Sequence, residues 1–144
     1  MLRVVAATSA AMAVMGAVSV LPLASATPPD RTIRVLDGQI RCLLSADYEG
    51  RGRPATVCGR TDGAPFQISP KGKPLAVLLA TGEQYYISGT VPGDPSADLV
   101  LGPGQISKLN GWTVKTEDLR ILVSYDIGRH GMRVNPIEVM PAWL

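Results

Sequence analysis

The sequence predicts a mainly β protein, a small antiparallel sandwich or barrel of seven to eight short strands, following an N-terminal signal helix. Three observations carry this. The chain holds 15 glycines and 12 prolines, which recur every few residues after residue 26, too densely for helices. Between them lie short runs in which apolar and polar residues alternate, the period of a half-buried strand. Two-residue turn signals, Asp37-Gly38 and Asn110-Gly111, stand between such runs.

The first 26 residues come before that pattern. Met1-Leu2-Arg3 leads into an apolar run from Val4 to Leu23, with Pro22 near its end, and the small-x-small site Ala24-Ser25-Ala26 follows. A positive start, an apolar stretch, a helix breaker and an Ala-x-Ala site describe a secretory signal peptide cleaved after Ala26. The competing reading is an uncleaved anchor, since about 20 apolar residues can span a bilayer. Richness in Ala, Gly, Ser and Thr favours the signal peptide. No cysteine lies near Ala26, so a lipid anchor has no attachment point there. The expected mature form is one soluble domain, residues 27–144, secreted or held in the cell envelope.

Loss of residues 1–26 removes Arg3 and no acid, so the net charge falls from +2 to +1. A near-neutral domain gives no argument for nucleic acid, whose binders cluster positive charge. The apolar fraction of residues 27–144 is roughly 40%, and a chain of that length still buries a single ordinary core.

The elements follow in order. Ile33 and Val35, then Ile40, Cys42 and Leu44, flank Asp37-Gly38 and read as a hairpin. Thr56-Val57-Cys58 is a short strand. Cys42 and Cys58 are the two cysteines, and in an exported chain they are expected to pair, closing a loop of 15 intervening residues. Their spacing is too long for a reactive CxxC pair. Leu75 to Ala80 is a continuous apolar run, a buried strand. Gln84 to Val91 alternates, with Tyr85 and Tyr86 on opposite faces. Residues 92–104 form the longest irregular connection. Asn110-Gly111 joins Gln105–Leu109 to Trp112–Thr116, and Leu119, Ile121, Val123 and Tyr125 alternate cleanly. In Met132–Met140 the apolar parity slips across Pro136, which predicts a bulge on an edge strand.

No catalytic, metal or cofactor signature emerges. His130 is the only histidine, and a hydrolase would need it as base with Asp126 and a serine such as Ser88 or Ser124, without any Gly-x-Ser-x-Gly elbow. Zinc would need cysteine or carboxylate partners that are committed or badly spaced. The acid pairs Asp47/Glu49 and Glu117/Asp118 lack the oxygen-rich spacing of a calcium loop, and the second pair reads as a turn. The segment Glu49-Gly50-Arg51-Gly52-Arg53-Pro54 offers two arginine forks suited to carboxylate or phosphate, on what reads as a mobile loop. Aromatics are not interleaved with them, which argues against single-stranded nucleic acid.

In order along the chain, Cys42-Leu43-Leu44-Ser45-Ala46-Asp47, Val57-Cys58, Asp62-Gly63-Ala64-Pro65-Phe66, Gly104-Gln105, Asn110-Gly111-Trp112-Thr113-Val114 and His130-Gly131-Met132 resemble a group of small exported mycobacterial proteins. The match spans residues 38–135. Gly128-Arg129 stands where that group tends to have Thr-Gly, and an aromatic that often follows Gly-Gln is missing. The resemblance implies export and a shared disulfide domain, and it carries no reaction. The expectation is therefore a binding module without catalysis or cofactor. Its expected surface is Arg51, Arg53, Tyr86, Asp126, Arg129 and His130, facing an anionic envelope lipid or glycan, or another protein. The rival readings are a small extracellular hydrolase using His130 and a purely structural envelope component.

Overall fold

A computed structural model describes residues 27–144. The signal peptide and its cleavage after Ala26 lie outside the described residues. Eleven strands run in chain order: β1 (Arg31–Val35), β2 (Ile40–Ser45), β3 (Ala55–Arg60), β4 (Leu75–Leu79), β5 (Gln84–Ile87), β6 (Leu99–Val100), β7 (Ile106–Leu109), β8 (Trp112–Glu117), β9 (Arg120–Tyr125), β10 (His130–Val134) and β11 (Val139–Trp143). One sheet has the order β5-β4-β3-β2-β1-β6 and the other β11-β10-β9-β8-β7. The predicted sandwich class is what the chain adopts. The strand number exceeds seven to eight because short pieces such as the two-residue β6 carry no readable period.

The two tight turns form as their dipeptides require. Asp37 (φ 53°) and Gly38 (φ 80°) turn β1 into β2, closed by a 3.0 Å bond from Gln39 N to Leu36 O. Asn110 (φ 55°) and Gly111 (φ 83°) do the same between β7 and β8. Both pairs have the positive φ values of the primed hairpin turn, whose twist matches the flanking strands.

Alternation then sends one face of each sheet inward. Ile33, Val35, Ile40, Leu44, Ala76 and Leu78 from the first sheet meet Trp112, Val114, Ile121, Val123, Met132 and Val134 from the second, with Phe66 between. The Trp112 indole is fully buried, lies 5.0 Å from the Tyr125 ring centroid, and donates from Nε1 to Ser45 O at 3.0 Å. That bond ties the two sheets together and satisfies the one polar atom that the aromatic carries inward. Cys42 and Cys58 are direct cross-strand partners of β2 and β3, joined by a disulfide inside this core. Such a bridge fits an oxidising, non-cytoplasmic location.

β4 is buried along its whole length, as its unbroken apolar run predicts, because both faces of the first sheet are covered. Leu43, Ala55, Val57, Leu75, Val77 and Leu79 form a second apolar cluster on its outer face, against which Tyr48, Ile87 and Val91 pack. The chain crosses that face between β5 at one edge and β6 at the other. Arg41 grips the crossing: it donates to Val91 O at 2.7 Å and Gly93 O at 3.0 Å, and its Nε lies 2.8 Å from Asp98 Oδ2. Asp98 also accepts from Thr32 and Arg34 and leads directly into β6, the one parallel pairing described.

Three local expectations are corrected. Residues 132–140 are not one bulged strand: β10 ends at Val134, Asn135–Glu138 make a turn, and β11 returns antiparallel. The parity slip at Pro136 marks that reversal. Pro141 sits opposite Met132, between the bonded positions 131:142 and 133:140, so its missing N–H faces the open edge and costs no ladder bond. Leu119 is not a buried strand residue but the exposed second residue of the β8–β9 turn, at φ 59°. The strand predicted over Gln84–Val91 stops at Ile87, where the crossover begins.

Candidate functional site

One end of the sandwich gathers the β2–β3 loop, the β4–β5, β7–β8 and β9–β10 turns, and the end of β11. Register explains the gathering, because Ser45 pairs with Ala55, Leu109 with Trp112, and Trp112 with Tyr125. Of the surface residues expected from sequence, Arg51, Arg53, Asp126, Arg129 and His130 all lie here. Tyr86 does not. It faces inward from the middle of β5, packs on the core, and has its phenol pushed up by burial, with Glu138 adding to the rise. Tyr85 is the member of that pair turned outward.

The β2–β3 loop is built from within. The Asp47 carboxylate accepts from Gly52 N at 2.5 Å, and Tyr48 N donates to Arg53 O at 2.8 Å. Tyr48 folds down onto the outer apolar cluster, and burial pushes its phenol up, with Glu49 adding to the effect. The loop expected to be mobile is thus anchored at both ends, while the Arg51 and Arg53 side chains stay outside. Arg51 has only a long 3.9 Å contact to Glu49.

His130 occupies the seam between the sheets. Its ring meets Trp143 edge-on, at a centroid distance of 5.0 Å and an interplanar angle of 87°. Gly82, at φ 96° in the β4–β5 turn, also lies close against the ring: a Cβ there would come within 2.6 Å of His130 Nδ1. Trp143 itself is 84% exposed. It is the functional candidate that sequence reasoning missed, and its signal was present as an aromatic alternating with Pro141 at the end of the last run.

Among the described residues, no hydrogen bond joins the groups a hydrolase would use. The Asp126 carboxylate accepts from Thr113 Oγ1 at 2.5 Å, fastening the β9–β10 turn to β8. Ser124 pairs with Gly131 and Thr113 on the outer face of its sheet, whereas His130 faces inward. Ser88 follows the far end of β5 from Gly82. Among the described residues, His130 has no side-chain hydrogen bond to a hydroxyl, and no cluster of His, Cys, Asp and Glu is placed to hold a metal ion. No helix among the described residues is long and apolar enough to cross a membrane.

The opposite end holds a cleft of about 420 Å³ between the β1–β2 and β8–β9 turns. Leu36, Leu101, Pro103 and Leu119 give it apolar walls, and Asp37 and Asp118 stand at its rim. Sequence reasoning placed Asp37 and Asp118 in turns and Leu101 and Pro103 in the irregular connection, but it put Leu119 in a strand. No local signal could show that two turns distant in sequence face one another. A smaller cleft under the crossover presents Arg34, Arg41 and Arg60, each already paired with Asp98 or Asp62.

No family model, no curated protein and no solved structure matches the chain.

Proposed function

We propose that the protein is exported through its N-terminal signal peptide and that residues 27–144 act outside the cytoplasm, secreted or in the cell envelope, as a non-catalytic binding module. The observation that carries this reading is the assembly at one end of the sandwich of exposed arginines, His130 and the exposed Trp143, mounted on loops and strand ends of a disulfide-bridged body. Loops positioned by a stiff scaffold are where binding residues concentrate. An indole face accepts the apolar side of a sugar ring, and arginine forks meet carboxylate or phosphate. An anionic envelope glycan or lipid headgroup is the partner class these groups suit. The resemblance to small exported mycobacterial proteins supports the export half of the proposal, and the bridge agrees with it.

Co-sedimentation with insoluble cell-envelope material tests the binding half. Wild-type protein should pellet with the envelope, whereas Trp143→Ala combined with Arg51→Ala and Arg53→Ala should stay in solution with its thermal midpoint almost unchanged, since all three side chains are exposed. Equal partitioning of the two proteins would remove this end of the sandwich as the binding surface.

A further inference from the structure

We propose that the cleft at the other end, between the β1–β2 and β8–β9 turns, binds an organic cation, an alkylammonium or alkylguanidinium group carried on a short apolar chain. This site is separate from the arginine- and tryptophan-bearing end.

The argument starts with shape. A volume of about 420 Å³ lies in the range of small-ligand sites, and the lining sets three leucines and a proline beside polar side chains. Hydrogen bonds hold two of the walls, the connection after β6 and the β1–β2 turn. Leu101 N donates to Arg34 O at 3.0 Å, tying the connection after β6 to β1. Thr116 Oγ1 donates to Gly102 O and Gln105 O, both at 2.9 Å, and Gln105 Oε1 accepts from Gly102 N at 2.7 Å. The β1–β2 turn is closed by its own backbone bond. A preformed apolar cleft needs little ordering to bind, which is where affinity is usually lost.

Charge selects the ligand. The lining contains three carboxylates, Asp37, Glu117 and Asp118, and no cationic side chain, in a chain whose net charge is positive. Glu117 is already met by Arg120 and Arg133, at 3.2 and 3.1 Å. Asp37 and Asp118 have no ion-pair partner among the described residues. An anion would meet two uncompensated carboxylates and be excluded, and a neutral alkane would leave them unused. A cation with an apolar tail satisfies both the walls and the rim. A bare metal ion would have no use for the leucines.

Titration of the ¹⁵N-labelled protein with hexylammonium, hexanoate, hexanol and calcium decides the matter. Hexylammonium should shift the amides of Leu36, Gly102, Gly104 and Leu119 saturably at millimolar concentration, more weakly in high salt, while hexanoate leaves them still. Asp37→Asn with Asp118→Asn should weaken hexylammonium about five- to tenfold and leave the response to hexanol unchanged. Asn-Gly is itself a favoured pair for the β1–β2 turn, so the variant keeps its fold, as its dispersed spectrum would report. Trp143→Ala should change nothing here, which separates failure at this site from failure at the other end. Absence of a saturating shift, an equal response to hexanoate, or calcium outcompeting hexylammonium would each overturn the proposal.

Discussion

Replacing Asp98 by alanine strands a guanidinium that the fold has taken out of water. The Arg41 side chain is 8% exposed and the Asp98 carboxylate 1%, with Nε 2.8 Å from Oδ2 and two further bonds from Arg41 to the carbonyls of Val91 and Gly93. Without Asp98, the charge keeps only the two carbonyls. Removing one partner of a buried pair costs about 3–5 kcal/mol, because the other is left uncompensated. For a domain of this size that is a fall in thermal midpoint of roughly 10–20 °C. Arg41→Met made together with Asp98→Ala should recover part of the loss, since no charge is then stranded. Arg34 reaches the same carboxylate from a side chain that is 35% exposed, so Arg34→Ala should cost under about 1 kcal/mol.

The pH dependence of the same pair has a definite sign. Burial alone would raise the Asp98 carboxyl, but hydrogen bonds from Arg41 and Thr32 and the charge of Arg41 outweigh it and hold the group below the ordinary carboxylate range. A depressed folded value means stability that is fully present above the unfolded value of about 3.9 and lost as pH falls through the folded one. Urea unfolding followed by circular dichroism should therefore show wild type and Asp98→Ala far apart at pH 7 and converging in strong acid. A loss at pH 7 below about 1 kcal/mol, the size expected of an exposed pair, would refute the claim that this network locks the crossover.

Other consequences are equally open to measurement. Cys42→Ala with Cys58→Ala frees a loop of 15 residues and should lower the unfolding free energy by about 3 kcal/mol in urea titration. Trp112→Phe removes the indole N–H from the carbonyl of fully buried Ser45 and should cost about 1–3 kcal/mol by the same measurement. Gly82→Ala drives a methyl into the imidazole at a positive φ. It should destabilise by more than about 1 kcal/mol and alter the emission of Trp143, and His130→Ala in the same chain should restore part of the stability.

Local features of the fold were legible because they are set by neighbours in sequence. Asp37-Gly38 and Asn110-Gly111 dictate their turns, and the apolar run at Leu75–Leu79 states that a strand is covered on both sides. Pro136 misled for the same reason: a parity change reads alike for a bulge and for a turn between two strands. Long-range features were not legible. Nothing near Asp98 says that it will meet Arg41, 57 residues earlier, and a two-residue strand such as β6 has no period to detect. The candidate surface divided along the same line. Loop membership placed Arg51, Arg53, Asp126, Arg129 and His130 together once hairpin register brought their turns to one end. Tyr86 was misplaced because alternation cannot say which of two adjacent tyrosines faces the core. The cleft escaped entirely, since it exists only between turns of different sheets.

Intact-mass analysis of the native protein recovered from culture fluid or washed envelope tests the central claim most directly. The account predicts a chain beginning at Thr27, two daltons lighter than the reduced form, that gives up a bound anionic glycan or lipid when Trp143, Arg51 and Arg53 are replaced. A chain recovered from the cytoplasm with Met1 attached and both thiols free would contradict it.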